Sequence, residues 1–393
     1  MNILFFTREE VSPYKGGTER ITHTLSGVLR KKYGHQCFSA YLMPALSTTI
    51  LTEFDGKLHV NRYAVGYCVK RFVEQNSIER IIIQGELNFV SVIRKALKKQ
   101  RNCRIIFVHH FEPGFEKHFF RLCDVRDSIQ RKEGLNKLPH IFQFLLYPIL
   151  HSCFIKRLPK RYQVAYRDSD SVVLLSERYR QGFMQFGGVL DSSKFSYIPN
   201  MLSYSRFASE KELSKKEKTV LIVSRLDERK RLSWALNMWK QIKEYVEADG
   251  WTLRIVGDGE HRKLYYDIVR EQNIKDVHFL GRMEPVNEYE RASLFMMTSA
   301  SEGWGLTLTE AQQFGCVPIA FDSYLSLHDI ITNEENGCIV PEGDINAYVH
   351  TLLYLMKYTD VRMQMARSCI VSAHRYGIEK VVENWEALLS ELD

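Results

Sequence analysis

The feature that most constrains this chain is a recurrence. Short apolar runs of strand length return along it, and each is followed by a stretch whose apolar residues fall at helical spacing. In the first half the runs are 3–7, 37–42, 81–84, 105–109, 172–175 and 195–198. In the second half they are 220–224, 252–256, 277–280, 294–298, 317–321 and 338–340. Apolar strands alternating with helices imply parallel sheets covered on both faces, an α/β fold. Between the two series, residues 201–218 are polar and charged and have the composition of a linker. The expected organisation is two doubly wound, Rossmann-like domains, 1–200 and 201–377, with the carboxyl ends of both sheets facing one central cleft.

Composition narrows the class. With 45% hydrophobic and 26% charged residues and only 10 prolines among 393, the chain is neither disordered nor fibrous. Its 8 cysteines are spread singly, without metal-ligand spacing, which fits reduced thiols in a cytoplasm. The apolar start gives way to Thr7, Arg8, Glu9 and Glu10, so it reads as a first strand and not as a secretory leader. No apolar run approaches the roughly 18 residues of a membrane-spanning helix. The formal charge is +7, from 54 Lys and Arg against 47 Asp and Glu, and residues 117–163 hold ten of the cations and three of the carboxylates, which is the whole of that excess.

Four loops carry candidate chemistry. Lys15-Gly16-Gly17-Thr18-Glu19-Arg20 lies between the first strand and a helix, where glycines let the backbone approach an anion and the helix start favours phosphate; a plain tight turn is the alternative. After the strand at 220–224 comes Arg225-Leu-Asp-Glu-Arg-Lys230-Arg231. Arg225 offers a planar fork and Lys230 a point charge to a diphosphate, unless this is simply a solvated basic loop. Gly257-Asp258-Gly259-Glu260 is a second glycine-rich turn that also reads as an ordinary strand-to-helix connection. The fullest set is Ser301-Glu302-Gly303-Trp304-Gly305-Leu306-Thr307-Leu308-Thr309-Glu310. One carboxylate precedes a Gly-Trp-Gly turn and a second rides the helix that follows, an arrangement suited to a nucleotide sugar with phosphates at the helix start and hydroxyls on the carboxylates.

Glu302 to Glu310 resembles the E-x7-E signature of glycosyltransferase family 4, and SEGWGLTLTEAQQFGCVPIAFD is similar to that family's stretch almost throughout. The likeness extends in order to GGTER, IPN at 198–200, VSRLDERKR, IVGDGE and HFLGRM, and so covers nearly the whole chain. It implies a GT-B fold whose last helix, 378–393, crosses back to the first domain, and a retaining, metal-independent hexosyl transfer. The nearest likeness is to bacterial capsule, lipopolysaccharide and exopolysaccharide sugar transferases. By the same resemblance Arg225 and Lys230 bind the donor diphosphate, Gly16 and Gly17 approach it from the other domain, and Glu310 holds the ribose. Glu302 with the backbone of Gly303, Trp304, Gly305 and Leu306 holds the transferred sugar and its phosphate, and Met283 packs the base. A histidine near the reacting centre is also implied. Spacing to Pro113 selects His110, leaving His109 as a structural residue. Trp304 stands where the family more often has Phe.

The donor expected is a nucleoside-diphosphate sugar, UDP-linked, with no metal and no other cofactor. Asp168-Ser-Asp170 has the D-x-D form of a metal motif but precedes a buried strand and is read as structural. The acceptor expected is lipid-linked or a polysaccharide, and the chain is placed in the cytoplasm with the inner leaflet as a peripheral partner. That partner is suggested by 141–155, an apolar stretch followed by Lys156, Arg157, Lys160 and Arg161, which suits a membrane contact or a lipid diphosphate. A pair of helices with simply buried apolar faces reads equally from those residues. The other readings are a GT-B epimerase or phosphorylase, a sugar-nucleotide module without catalysis, and nucleic-acid binding, which the donor-site set disfavours.

Overall fold

The computed structural model describes residues 1–14, 16–45, 49–100, 102–119, 142 and 144–392. They fall into two units, Met1–Ile198 with Val382–Asp393, and Pro199–Val381.

The first unit is built on seven parallel strands in the order β3-β2-β1-β4-β5-β6-β7. They are β1 (Asn2–Glu9), β2 (Gln36–Met43), β3 (Gly56–His59), β4 (Arg80–Gln84), β5 (Arg104–His109), β6 (Ser171–Leu174) and β7 (Phe195–Tyr197). Helices α1 (Gly17–Tyr33), α2 (Val65–Gln75), α3 (Leu87–Ala96), α4 (Tyr147–Asp168) and α5 (Tyr179–Gly187) connect them. Ile3 to Phe6, Ile81 to Ile83 and Ile105 to Phe107 are wholly buried, because strands covered on both sides by helices have no solvent face. β3 is the one strand the apolar runs do not announce. It is a four-residue edge strand, and a Cβ on Gly56 would press on Phe38 of β2 at 3.0 Å, so glycine lets it pair there.

The second unit has six parallel strands, β10-β9-β8-β11-β12-β13. These are β8 (Glu217–Val223), β9 (Thr252–Val256), β10 (Val277–Gly281), β11 (Ala292–Met297), β12 (Val317–Phe321) and β13 (Cys338–Val340). Its longer helices are α6 (Leu232–Ile242), α7 (Arg262–Glu271), α8 (Leu306–Gln313), α9 (Ile345–Lys357) and α10 (Thr359–Ala373), and α11 (Ile378–Glu391) ends the chain. Trp239, Trp251 and Tyr348 anchor the core between the sheet and α6, α9 and α10. The Trp239 indole donates to Lys275 O at 3.0 Å, so its buried polar atom is satisfied.

The stretch expected to be a linker is not one. Met201 and Leu202 are wholly buried, Leu202 N donates to Tyr376 O at 2.8 Å, and Ala208 N donates to Gln313 O at 3.1 Å. A few apolar and backbone anchors pin 201–208 along the second unit despite the polar average, and a short helical turn at Glu210–Leu213 leads into β8. At the other end, residues 382–393 return to the first unit. Glu386 meets His35 at 2.8 Å, and the carbonyls of Leu389 and Leu392 accept from Arg80 Nε at 3.1 Å and Arg104 Nε at 3.0 Å.

In each sheet the strand order reverses at its first strand. β1 lies between β2 and β4, and β8 lies between β9 and β11. Connections leave such a strand pair in opposite directions, so the loops at the carboxyl ends part and leave a crevice.

Candidate functional site

In the second unit the crevice at β8 and β11 is walled by the two loops that the motifs single out. β8 runs into Ser224, whose N–H donates to Val256 O at 3.0 Å. The chain then turns through a 3₁₀ turn, Glu228–Lys230, capped by the Asp227 carboxylate, which accepts from Arg229 N at 3.0 Å. The exit of β11 is stitched to the same turn. Ala300 N donates to Arg229 O at 2.8 Å, and Thr298 Oγ1 donates to Lys230 O at 2.7 Å.

That stitching brings Lys230 to Glu302. Lys230 Nζ and Glu302 Oε1 form a direct, largely buried ion pair between residues 72 positions apart. Arg225 stands outward, its side chain 66% exposed and its Nε 3.5 Å from Asp227 Oδ2. Between these cations and α8 lies the Gly-Trp-Gly turn. Gly305, at φ 95°, is the residue before α8, and a Cβ there would stand 2.8 Å from the Tyr324 hydroxyl as well as in a left-handed conformation. The Trp304 ring is buried edge-on against Tyr376 with centroids 5.2 Å apart, so this side chain is a core anchor.

The second glycine-rich turn has a structural purpose that the sequence left open. A Cβ on Gly257 would fall 1.8 Å from Ser224 O, and one on Gly259 would fall 2.4 Å from Leu226 O. Only glycine lets this turn brace the Arg225 loop, which it does through Leu226 N to Asp258 O at 3.0 Å and His261 N to Leu226 O at 3.0 Å.

Glu310 differs from its expected setting. Every Leu308–Gln313 side chain of α8 is buried, and Glu310 has no exposed surface at all. Its Oε1 accepts from Ser203 Oγ at 2.6 Å and its Oε2 from the Tyr289 hydroxyl at 3.0 Å. The docked 201–208 segment supplies Ser203, and Gln313 Nε2 holds that segment through Tyr204 O and Arg206 O, both at 2.7 Å. Both carboxylate oxygens thus already accept a hydrogen bond from within the fold. Neither Ser203 nor Tyr289 stands out in the sequence. Met283 is 43% exposed beyond β10, and its neighbour Glu284 accepts from the Tyr204 hydroxyl, so the strap over Glu310 also reaches the expected base position.

In the first unit, Gly16 precedes α1 with φ −64° and ψ 177°, a backbone that any residue adopts. A Cβ on it would come 2.9 Å from Glu19 Oε2, so a carboxylate already stands beside this helix start. Gly17 opens α1, and Lys15 lies outside the described residues. His110, beyond β5, is buried with Nε2 2.6 Å from Gln84 Oε1, and burial, with His109 adding to it, pushes its pKa down to about 3. It is a neutral imidazole at physiological pH. His109 is structural as expected, with burial pushing its pKa down to about 3 and Nε2 3.1 Å from the Tyr162 hydroxyl, which also donates to Glu116.

The D-x-D carboxylates are engaged within the fold. Asp168 accepts from Arg167 at 2.7 and 3.0 Å, while Asp170 pairs with Arg94 and accepts from Ile105 N at 2.7 Å. Residues 120–141 and 143 of the basic segment lie outside the described residues. The buried residues of α4 are Leu158, Tyr162, Ala165 and Tyr166 in its second half, whereas Ile149 and Leu150 in its first turn, and Leu145 just before the helix, are exposed. Among the described residues no helix is long and apolar enough to cross a membrane.

Two parallel-sheet units with a cation-and-glycine crevice at a strand-order reversal define a class, and the fold is GT-B. A crystal structure of HepE from Anabaena in complex with UDP-glucose matches over 100% of both chains with a TM-score of 0.71 at 15% identity. Residues 205–370 match the family model described as Glycosyl transferases group 1, and the second unit carries that family's domain. The chain is 29% identical over 200 residues to an uncharacterized glycosyltransferase of Haemophilus influenzae, covering 50% of this chain and 56% of that one. It is 27% identical over 179 residues to the amylovoran biosynthesis glycosyltransferase AmsD of Erwinia amylovora, covering 45% and 49%. The matches thus span about half the length of these relatives.

Proposed function

We propose that the chain is a retaining glycosyltransferase that moves a sugar from a UDP-linked donor to a lipid-linked or polysaccharide acceptor in cell-surface glycan synthesis. The observation that carries this reading is the convergence, at the β8 and β11 crevice, of exposed Arg225, the Lys230–Glu302 pair and the glycine-opened start of α8. The UDP-glucose held by Anabaena HepE and the polysaccharide role in the name of AmsD support donor and acceptor class respectively.

Cleavage of the anomeric bond builds negative charge on the departing diphosphate. Arg225 and Lys230 are fixed cations on that side, and the α8 N-terminus adds its dipole, so stabilisation is in place before charge develops. The charge of the phosphates is met by side chains in this scheme, without a metal. Glu302 orients Lys230 through their ion pair and faces the sugar. His110, held neutral at the end of β5, is an uncharged hydrogen-bonding group of the first unit.

The test is turnover with a panel of UDP-sugars and membrane or polysaccharide extracts as acceptor. Arg225→Ala and Lys230→Ala are each expected to lower kcat at least a hundredfold, with the melting temperature unchanged for exposed Arg225 and lowered for Lys230, whose loss leaves Glu302 without its partner. Full activity in both variants removes the donor assignment. Sugar release or interconversion from the UDP-sugar alone points instead to a phosphorylase or an epimerase.

A further inference from the structure

The first unit carries a second concentration of positive charge that the donor site does not use. On α4, Arg157, Lys160, Arg161 and Val164 stand at spacings of three and four and so share one face of the helix. That face looks across to Asn88 and Ser91 near the start of α3, and together they enclose a cleft of about 360 Å³. Elsewhere on the described surface arginines and lysines commonly meet a carboxylate, as in Arg30 with Asp55, Arg254 with Glu288 and Arg291 with Glu217. Around this cleft none of the three cations has an acidic partner among the described residues. Arg161 has only the Phe154 ring, 5.3 Å from its guanidinium. Asp168, which accepts from Ser91, is held by its own double hydrogen bond from Arg167.

Like charges one helical turn apart repel, and burial and Arg157 both act to lower the Arg161 pKa, with no carboxylate acting against them. A helix gains nothing in its own stability from this stripe. What the stripe suits is a polyvalent anion, which a guanidinium fork, a second guanidinium and an ammonium contact from one side while the Asn88 amide contributes a donor from the other.

We propose that this α3–α4 cleft is a binding site for a phosphoryl group, a phosphate ester or diphosphate, separate from the donor crevice. It bears on the acceptor side of the proposed reaction but does not depend on that reading, because the site is defined by anion binding alone. The phosphoryl group belongs either to a soluble ligand or to a lipid headgroup. The exposed Ile149 and Leu150, two to three turns earlier on the same helix, and Leu145 just before it give the second source an apolar neighbour.

Pyrophosphate is the probe. It is titrated into the full chain carrying Arg225→Ala and Lys230→Ala, which removes both donor cations, and into the same chain with Arg157→Gln, Lys160→Gln and Arg161→Gln added. The first protein is expected to bind pyrophosphate and the second to bind it at least tenfold more weakly. Equal affinity, or no binding by the first, overturns the proposal. The melting temperature separates a binding site from a structural stripe, since removing mutual repulsion should leave it level or raise it. A fall of several degrees together with unchanged affinity is the structural outcome and also overturns the proposal. If the triple variant does not fold, Lys160→Gln alone, on an exposed side chain, takes its place with an expected threefold loss. Co-sedimentation with phosphatidylcholine vesicles, with and without phosphatidylglycerol, identifies the source. Cation-dependent sedimentation only with the anionic lipid assigns a headgroup, and pyrophosphate binding without sedimentation assigns a soluble phosphoryl ligand. UDP binding by the triple variant with Arg225 and Lys230 retained stays at the unmodified level, so failure here leaves the donor reading untouched.

Discussion

At the scale of single residues, the contact that most needs a test is Ser203 on Glu310. A fully buried carboxylate has to be hydrogen-bonded, and this one is, by Ser203 and Tyr289. Ser203→Ala removes one of the donors to this buried carboxylate, which should cost the unliganded protein about 1–2 kcal/mol. A ribose hydroxyl would restore that bond without displacing anything, so UDP should bind about three- to tenfold more tightly to the variant. Calorimetric titration with UDP, set beside the melting temperature, decides it; weaker UDP binding would mean that Ser203 itself contacts the ligand. The histidines at the end of β5 give a pH dependence. His109 and His110 are held neutral by burial, with folded pKa values of about 3 against an ordinary 6.5. Between those values the unfolded chain binds protons that the native chain does not. Stability is therefore greatest above pH 6.5 and falls as pH drops toward 3, by up to about 1.4 kcal/mol per pH unit for each histidine. Glu116 opposes this, because burial raises its pKa and its contribution is present at low pH and lost as pH rises through its folded value. Burial raises the Glu86 pKa too and lowers that of His23, so three histidines stand against two carboxyls; urea midpoints should fall from pH 6.5 to pH 5, and His110→Gln should flatten that fall.

At the scale of elements, the Gly257 turn ties the fold to the site. With φ at 140° and a Cβ that would lie 1.8 Å from Ser224 O, Gly257→Ala forces the β9 turn off the Arg225 loop. A loss of about 3 kcal/mol or more is expected in chemical denaturation, with weaker UDP binding as Arg225 shifts; an unchanged denaturation midpoint would mean that the two loops do not lean on one another. The same turn marks the limit of what the residues reveal beforehand. Each apolar run read as a strand falls on a strand, overrunning its end by at most one residue, and in the central strands this is because burial on both faces demands unbroken apolar side chains. β3 escapes that rule since an edge strand of four residues with alternating exposure has no such demand. The 201–218 segment misleads for the opposite reason. Its average is polar, but Met201, Leu202, Ala208 and Leu213 are buried one or two at a time, and its backbone carbonyls do much of the holding. The candidate site divides along the same line. Arg225, Lys230, Glu302 and the glycines each sit in a short motif and are legible there, whereas Ser203 and Tyr289, 107 and 21 positions from Glu310, belong to none. Contacts of that reach leave no periodicity or spacing to read.

At the scale of the whole molecule, the chain's end belongs to its beginning. Val382, Trp385, Leu388 and Leu389 are buried, and burying side chains of this size contributes on the order of 1.5–3 kcal/mol each. The same segment supplies the Leu389 carbonyl to Arg80 on β4, the Leu392 carbonyl to Arg104 on β5, and the Glu386 carboxylate to His35 before β2. Arg80 is itself buried, so losing an acceptor there leaves part of a guanidinium's hydrogen bonding unmet in a place water does not replace it. Ending the chain after Val381 should therefore act on the first unit and spare the second. Hydrogen exchange should rise in peptides covering β4 and β5, and by at least an order of magnitude in rate, while peptides covering β8, β9 and the 225–231 loop keep their protection. Apart from Gly16 and Gly17, the expected donor-side residues lie in the second unit, so UDP affinity in the truncated chain reports chiefly on that unit and should stay within about twofold of the full chain, since 0.4 kcal/mol is a twofold change. Loss of protection spreading equally through β8 and β9 would show instead that the two units unfold as one.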